Sequence, residues 1–147
     1  MRRTLFLSFV MLLGFSGAAG AQIVADVFKQ AGVLGTWALN CASPPQGGNT
    51  YSIYANHLDG SVSLTYDNGP TSQSTVYTIL SAELRGPGRV FYLQENQRDQ
   101  RRLEIEVLRV DRRIQVQSSR RTTGEVLVKD GKFNDGVASP WQLRCVD

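Results

Sequence analysis

The run Leu103-Glu104-Ile105-Glu106-Val107-Leu108-Arg109-Val110-Asp111-Arg112-Arg113-Ile114-Gln115-Val116-Gln117 decides the fold class. Leu103, Ile105 and Val107 alternate with Glu104 and Glu106, and beyond Asp111-Arg112 the residues Ile114 and Val116 alternate with Arg113, Gln115 and Gln117. A period of two puts apolar side chains on one face of an extended chain and polar ones on the other. The run therefore reads as two strands, each with one dry and one wet face, joined by a tight turn. At Val107-Leu108 the apolar phase slips by one residue, so that Leu108 and Val110 continue where Val107 stops, which predicts a β-bulge.

The same pattern extends outward. Val62, Leu64 and Tyr66 alternate with Ser61, Ser63 and Thr65, and turn residues recur at short intervals from Gly35 onward: Asp59-Gly60, Asn68-Gly69-Pro70, Gly86-Pro87-Gly88, Asp130-Gly131 and Asp135-Gly136. Strands are predicted over 36–41, 51–56, 61–66, 74–83, 89–95, 101–110, 113–119, 125–129 and 138–145. No spacer between them has room for a crossover helix, which excludes a parallel α/β fold. The expectation is an all-β protein, a single antiparallel meander barrel of about 8–9 strands. Ahead of it, Ile23, Val24, Val27, Phe28 and Ala31 recur at the three-and-four spacing of a short amphipathic helical turn, which Gly32 and Gly35 end.

The chain opens Met1-Arg2-Arg3, continues with an apolar stretch from Leu5 to Phe15, and reaches small residues at Ala19-Gly20-Ala21. That is the pattern of a secretory signal peptide over 1–21 with cleavage after Ala21, and the apolar stretch falls well short of the roughly 20 residues that span a bilayer. A periplasmic or secreted protein, one barrel domain over 22–147 without a transmembrane segment, is expected. Removing Arg2 and Arg3 from the 16 Lys and Arg leaves 14 against 13 Asp and Glu, a net charge of +1, so bulk attraction to nucleic acid is not expected. An oxidising compartment favours a disulfide between Cys41 and Cys145, the two cysteines of the chain.

Such a bond ties the first strand, Gly35-Thr36-Trp37-Ala38-Leu39-Asn40-Cys41, to the last, Pro140-Trp141-Gln142-Leu143-Arg144-Cys145, and so closes the meander. An odd number of strands would bring these two together in parallel, with Trp37 on Trp141 and Leu39 on Leu143. An extra short strand at 132–134 would reverse the direction.

Gly35-Thr36-Trp37 behind a helical turn resembles the G-x-W motif of the lipocalin and calycin superfamily, and Asp59-Gly60-Ser61-Val62 leading to Tyr66 is similar to the second hairpin of avidin-like barrels. The resemblance implies a barrel-closing role for Gly35, Trp37, Trp141 and Arg144, with Arg144 as the late arginine that packs over the motif tryptophan. The sequence departs from lipocalins in lacking their C-terminal helix and in linking its first and last strands directly, which argues against a large ligand-holding cavity.

Catalytic chemistry is sparsely supplied. His57 is the only histidine and falls in the turn before Gly60, where a solvated ring is expected; Glu104 and Glu106 sit on a wet strand face among arginines; no G-x-S-x-G, H-E-x-x-H or phosphate-cradling loop occurs. A non-enzyme without cofactor or metal is expected. Charge is uneven, with Arg98, Arg101, Arg102, Arg109, Arg112, Arg113, Arg120 and Arg121 crowded about the central hairpin, either as an anion- or partner-binding patch or as protection against edge-to-edge pairing. The longest link, 42–49, presents Pro44, Pro45, Gln46 and Gly47 as a rigid candidate partner loop. Three functions fit: a binding module for a small apolar ligand or a protein partner, an inhibitor of an extracellular hydrolase such as a lysozyme or protease, and a structural envelope protein.

Overall fold

The structure of the protein, a computed structural model, describes residues 18–145. The expected signal peptide lies almost wholly outside the described residues. Helix α1 (Ala18–Ala31) leads into strands β1 (Gly35–Ala38), β2 (Tyr51–Asn56), β3 (Val62–Asp67), β4 (Thr75–Gly86), β5 (Arg89–Asn96), β6 (Arg102–Val110), β7 (Arg113–Arg121), β8 (Val126–Lys129), β9 (Lys132–Phe133) and β10 (Gln142–Arg144). Consecutive strands pair antiparallel from β1–β2 through β8–β9, and β10 pairs with both β1 and β7. The closed circuit therefore contains eight strands, β1 to β7 and then β10. The β8–β9 hairpin continues the wall from the far end of β7, where Ser119 faces Val128, while the near end of β7 at Arg113 and Ile114 is taken by β10.

An even ring of antiparallel neighbours must close antiparallel, which corrects the parallel stacking of Trp37 on Trp141. Trp37 instead faces Arg144, and Ala38 faces Leu143. The short strand β9 supplies the reversal of direction. The last predicted strand is also shorter than its range, because Pro140 has no N–H to give to a ladder; only Gln142 to Arg144 pair as strand, and Ala138 makes an isolated bridge to Lys132. Cys41 and Cys145 form the disulfide, with Cα atoms 5.3 Å apart, beside the β1–β10 seam.

Two bulges set which side chains enter the barrel. Opposite Glu106 and Val107, β7 passes from Ser118 to Val116, so the extra residue is Gln117 and the irregularity lies on β7 rather than on β6. Leu103, Ile105 and Val107 keep one phase into the core and Val110 stays exposed, so the expected phase slip along β6 does not occur. On β4 the pairing jumps from Ile79 to Ser81, which puts Leu80 outside at 39% exposure and switches the inward set from Tyr77 and Ile79 to Ala82 and Leu84.

Helix α1 seals one end of the barrel. Val24, Ala25, Phe28 and Ala31 form its buried face, and the Phe28 ring lies 5.7 Å from that of Tyr54 and 5.3 Å from that of Tyr92. The helix stops in a Schellman turn: the Val33 N–H donates to the Phe28 carbonyl and the Gly32 N–H to the Lys29 carbonyl, with Gly32 at φ +66°. The Arg109 Nε then donates to the carbonyl of Ala31, so the last turn of the helix is held by the end of β6. Trp37, fully buried, donates its indole N–H to the Val33 carbonyl at 2.8 Å and is covered by the Arg144 guanidinium 5.5 Å from its ring. Gly35, at φ +117°, leaves the space that Arg144 occupies, because a β-carbon there would stand 3.3 Å from the Arg144 guanidinium nitrogen.

Candidate functional site: the barrel interior

The helix fills only part of the barrel. Beyond the layer of Phe28, Tyr54 and Tyr92 lies a cavity of about 290 Å³. Its apolar wall comes from Leu103 and Ile105 of β6 and Ile114 and Val116 of β7, the dry faces of the hairpin that the sequence pattern marks out. Tyr54 forms part of its floor, while Val128, Phe133 and Pro140 border the side where β8, β9 and the segment before β10 complete the wall. Phe133 is 42% exposed, and Pro140 is exposed too, so this side is the mouth. It is also where strand pairing is thinnest, since β7 changes partner there. The change of partner is bridged by side chains: Gln115 Nε2 donates to the Ser139 carbonyl at 2.6 Å, and Gln117 Nε2 to Gln115 Oε1 at 2.7 Å.

Polar groups punctuate the apolar lining. Ser52, Tyr66, Ser119, Ser139 and Gln142 border the cavity together with Gln94. Gln94 is completely buried, and neither its amide nitrogen nor its amide oxygen has a hydrogen-bond partner. Below it on β5, Tyr92 shares a hydrogen bond with Tyr54 through their hydroxyls at 2.9 Å. Burial pushes the Tyr54 hydroxyl up to about 12, partly offset by that bond, and burial likewise holds the Tyr92 and Tyr66 hydroxyls well above the ordinary tyrosine value. All three remain neutral donors or acceptors through the physiological range.

The arginines form two groups rather than one patch. Arg109, Arg112 and Arg113 stand at the β6–β7 turn, and Arg98, Arg101, Arg102, Arg120 and Arg121 at the other end of the hairpin, about 23 Å away along the strands. Most are engaged. Arg101 pairs with Asp99 at 2.6 Å, Arg102 with Glu95 at 2.7 Å, Arg121 with Glu125 at 2.9 Å, and Arg120 with Glu104. The hydrogen bond from Arg101 holds the exposed Asp99 carboxyl below its usual range. Arg113 lies over the Trp141 ring at 4.9 Å, and Arg112 uses its carbonyl to receive the Arg144 N–H. Glu106 takes Arg89 at 2.5 Å and Arg85 at 3.5 Å, which makes the wet face of β4 to β7 a ladder of ion pairs.

The 42–49 loop is pinned from within. Asn49, buried, accepts from the Asn40 N–H and donates to the carbonyls of Asn40, Ser43 and Pro44, while the Tyr51 hydroxyl donates to the Ser43 carbonyl at 2.6 Å. Pro44, Gln46 and Gly47 are exposed on this frame, and the Pro45 carbonyl packs against Gly69. On the outer face, His57 Nε2 lies 2.7 Å from the Ser63 hydroxyl, a pairing the sequence reading did not anticipate. Asp59 does not complete a triad with them, because its carboxylate accepts from the Ser61 hydroxyl and N–H, which also lower its pKa. Among the described residues no group of three His, Cys, Asp or Glu side chains is placed to hold a metal ion.

Compared with protein families, curated proteins and solved structures, the chain matched none.

Proposed function

We propose that the chain is an exported, non-enzymatic binding module of lipocalin-like build, which holds a small and mainly apolar ligand inside its barrel. The carrying observation is the cavity of about 290 Å³ between the aromatic floor and the Phe133 side of the wall. Protein interiors are otherwise close-packed, and a void of this size lined by Leu103, Ile105, Ile114 and Val116 sacrifices contacts that larger side chains would make. A dry void of about 150 Å³ accepts a six-carbon ring, so this one suits a ligand of about a dozen non-hydrogen atoms. That is the small end of ligand pockets and fits the departures from the lipocalin pattern. Native mass spectrometry of protein purified gently from its own compartment is expected to show a retained small mass that is lost on denaturation. An empty mass, together with no binding of an apolar fluorescent probe, would set the reading aside.

A second reading, inhibition of an extracellular hydrolase, is favoured by the internal bonding of the 42–49 loop, since a loop already ordered loses less entropy on insertion into a cleft. Inhibition of a lysozyme and a metalloprotease panel that disappears when the loop is replaced by a Gly/Ser segment of equal length would support it. No inhibition at micromolar protein would end it.

A further inference from the structure

The geometry points to Gln94 as the group that selects the ligand, and to a neutral ligand carrying an amide, its N–H donor and carbonyl acceptor side by side, on an otherwise apolar body. This rests on the cavity reading above and deepens it.

The inner column of β5 runs Val90, Tyr92, Gln94, Asn96, and all four are buried. Across the sheet Gln94 faces Ile79 on β4 and Leu103 on β6, which have no polar side-chain atoms. Along the strand, the Tyr92 hydroxyl is engaged with Tyr54, and the Asn96 carboxamide oxygen accepts the Arg98 N–H. Gln94 is thus left with a donor and an acceptor that neither its cross-strand neighbours Ile79 and Leu103 nor its strand neighbours Tyr92 and Asn96 satisfy, in the wall of the cavity described above. A buried amide in that state carries its full desolvation cost, and a leucine of similar shape would remove it. The cost is recovered when a ligand supplies the complement. A carboxamide offers N–H and carbonyl oxygen on one edge, so the complementary edge is that of a primary amide or a lactam, which matches both atoms at once. A charged carboxylate would present acceptors alone against the Gln94 oxygen, and a hydrocarbon would leave both atoms unmatched.

Discrimination by a site built this way is strong, because the wrong ligand leaves buried polar groups unpaired. The test is calorimetric titration of the purified full mature protein and of Gln94→Leu with octanamide and with nonan-2-one, in which a methyl group replaces the amide nitrogen. Wild-type protein is expected to prefer the amide by at least about tenfold, and Gln94→Leu to prefer the ketone, with a higher melting temperature in the absence of ligand. Binding of both compounds at a ratio unchanged between the two proteins overturns the role of Gln94 and leaves the cavity reading intact. Binding of neither compound to the wild type defeats the cavity reading and this inference together. Should Gln94→Leu fail to fold, the wild-type ratio decides alone, and equal affinity for amide and ketone overturns the proposal.

Discussion

Replacing Phe28 by alanine probes the junction between helix and barrel on which the cavity depends. Phe28 is fully buried, touches Tyr54 and Tyr92 as the floor of the interior, and lies in the turn that ends α1. A buried aromatic ring removes about 150–250 Å² from water, which at about 25 cal/mol per Å² is roughly 4–6 kcal/mol, and measured Phe→Ala changes in cores fall at about 3–5 kcal/mol. We expect a loss of about 4 kcal/mol in urea unfolding, a fall in melting temperature of about 15 °C, and a weaker near-ultraviolet signal from the tyrosines that the ring orients. Ile23, on the same helix but 60% exposed, is the control, and Ile23→Ala should change stability by less than about 0.5 kcal/mol. If Phe28→Ala costs no more than Ile23→Ala, the helix does not seal the barrel and the floor of the cavity is wrongly assigned.

The disulfide, the buried tyrosines and the Gly35 seam each give a further measurable outcome. Changing both Cys41 and Cys145 to serine opens a loop of 104 residues and should lower stability by up to about 4.7 kcal/mol, whereas alkylation of the native protein without reductant should leave both sulfurs unmodified; modification of both refutes the bond. Tyr54 has a folded pKa of about 12 against an ordinary value of 10.0, so the folded state holds its proton longer than the unfolded chain does. Stability should therefore be flat up to about pH 10 and fall between pH 10 and 12, by about 3 kcal/mol from Tyr54 alone; phenolate titration in which Tyr54 ionises near its ordinary value without unfolding would contradict this. Gly35→Ala meets both a positive φ and the Arg144 guanidinium and should cost about 1–3 kcal/mol in urea unfolding, while Gly47→Ala, with open space around it, should be nearly neutral; equal effects would remove Gly35 from the seam.

What the sequence made legible is what depends on local pattern. Strand β2 occupies 51–56 as read, and β3 and β6 begin and end within three residues of expectation, because period-two alternation and glycine turns are properties of neighbouring residues. The direction of closure depends instead on β9, two exposed residues with no alternation of their own, and on β7 serving two partners. Gln94 escaped notice for a related reason. Both faces of β5 carry large apolar residues, Val90 and Tyr92 inside, Phe91 and Leu93 outside, with Phe91 covered by the Arg85 guanidinium 3.8 Å from its ring. Alternation on such a strand does not say which face is dry. The arginine cluster was visible as composition, but its division into two ends and its pairing with Glu95, Glu104 and Glu125 are set by strand register, which only the fold supplies.

We propose that the space between the tyrosine floor and Phe133 receives a ligand. Methyl-resolved NMR during a titration with nonan-2-one addresses it directly. Shifts should concentrate on the inward methyl groups of Leu103, Ile105, Ile114, Val116 and Val128 and spare Leu80 and Val110 on the outer face. Unmoved inward methyls at saturating ligand, or shifts confined to the outer face, would contradict the account.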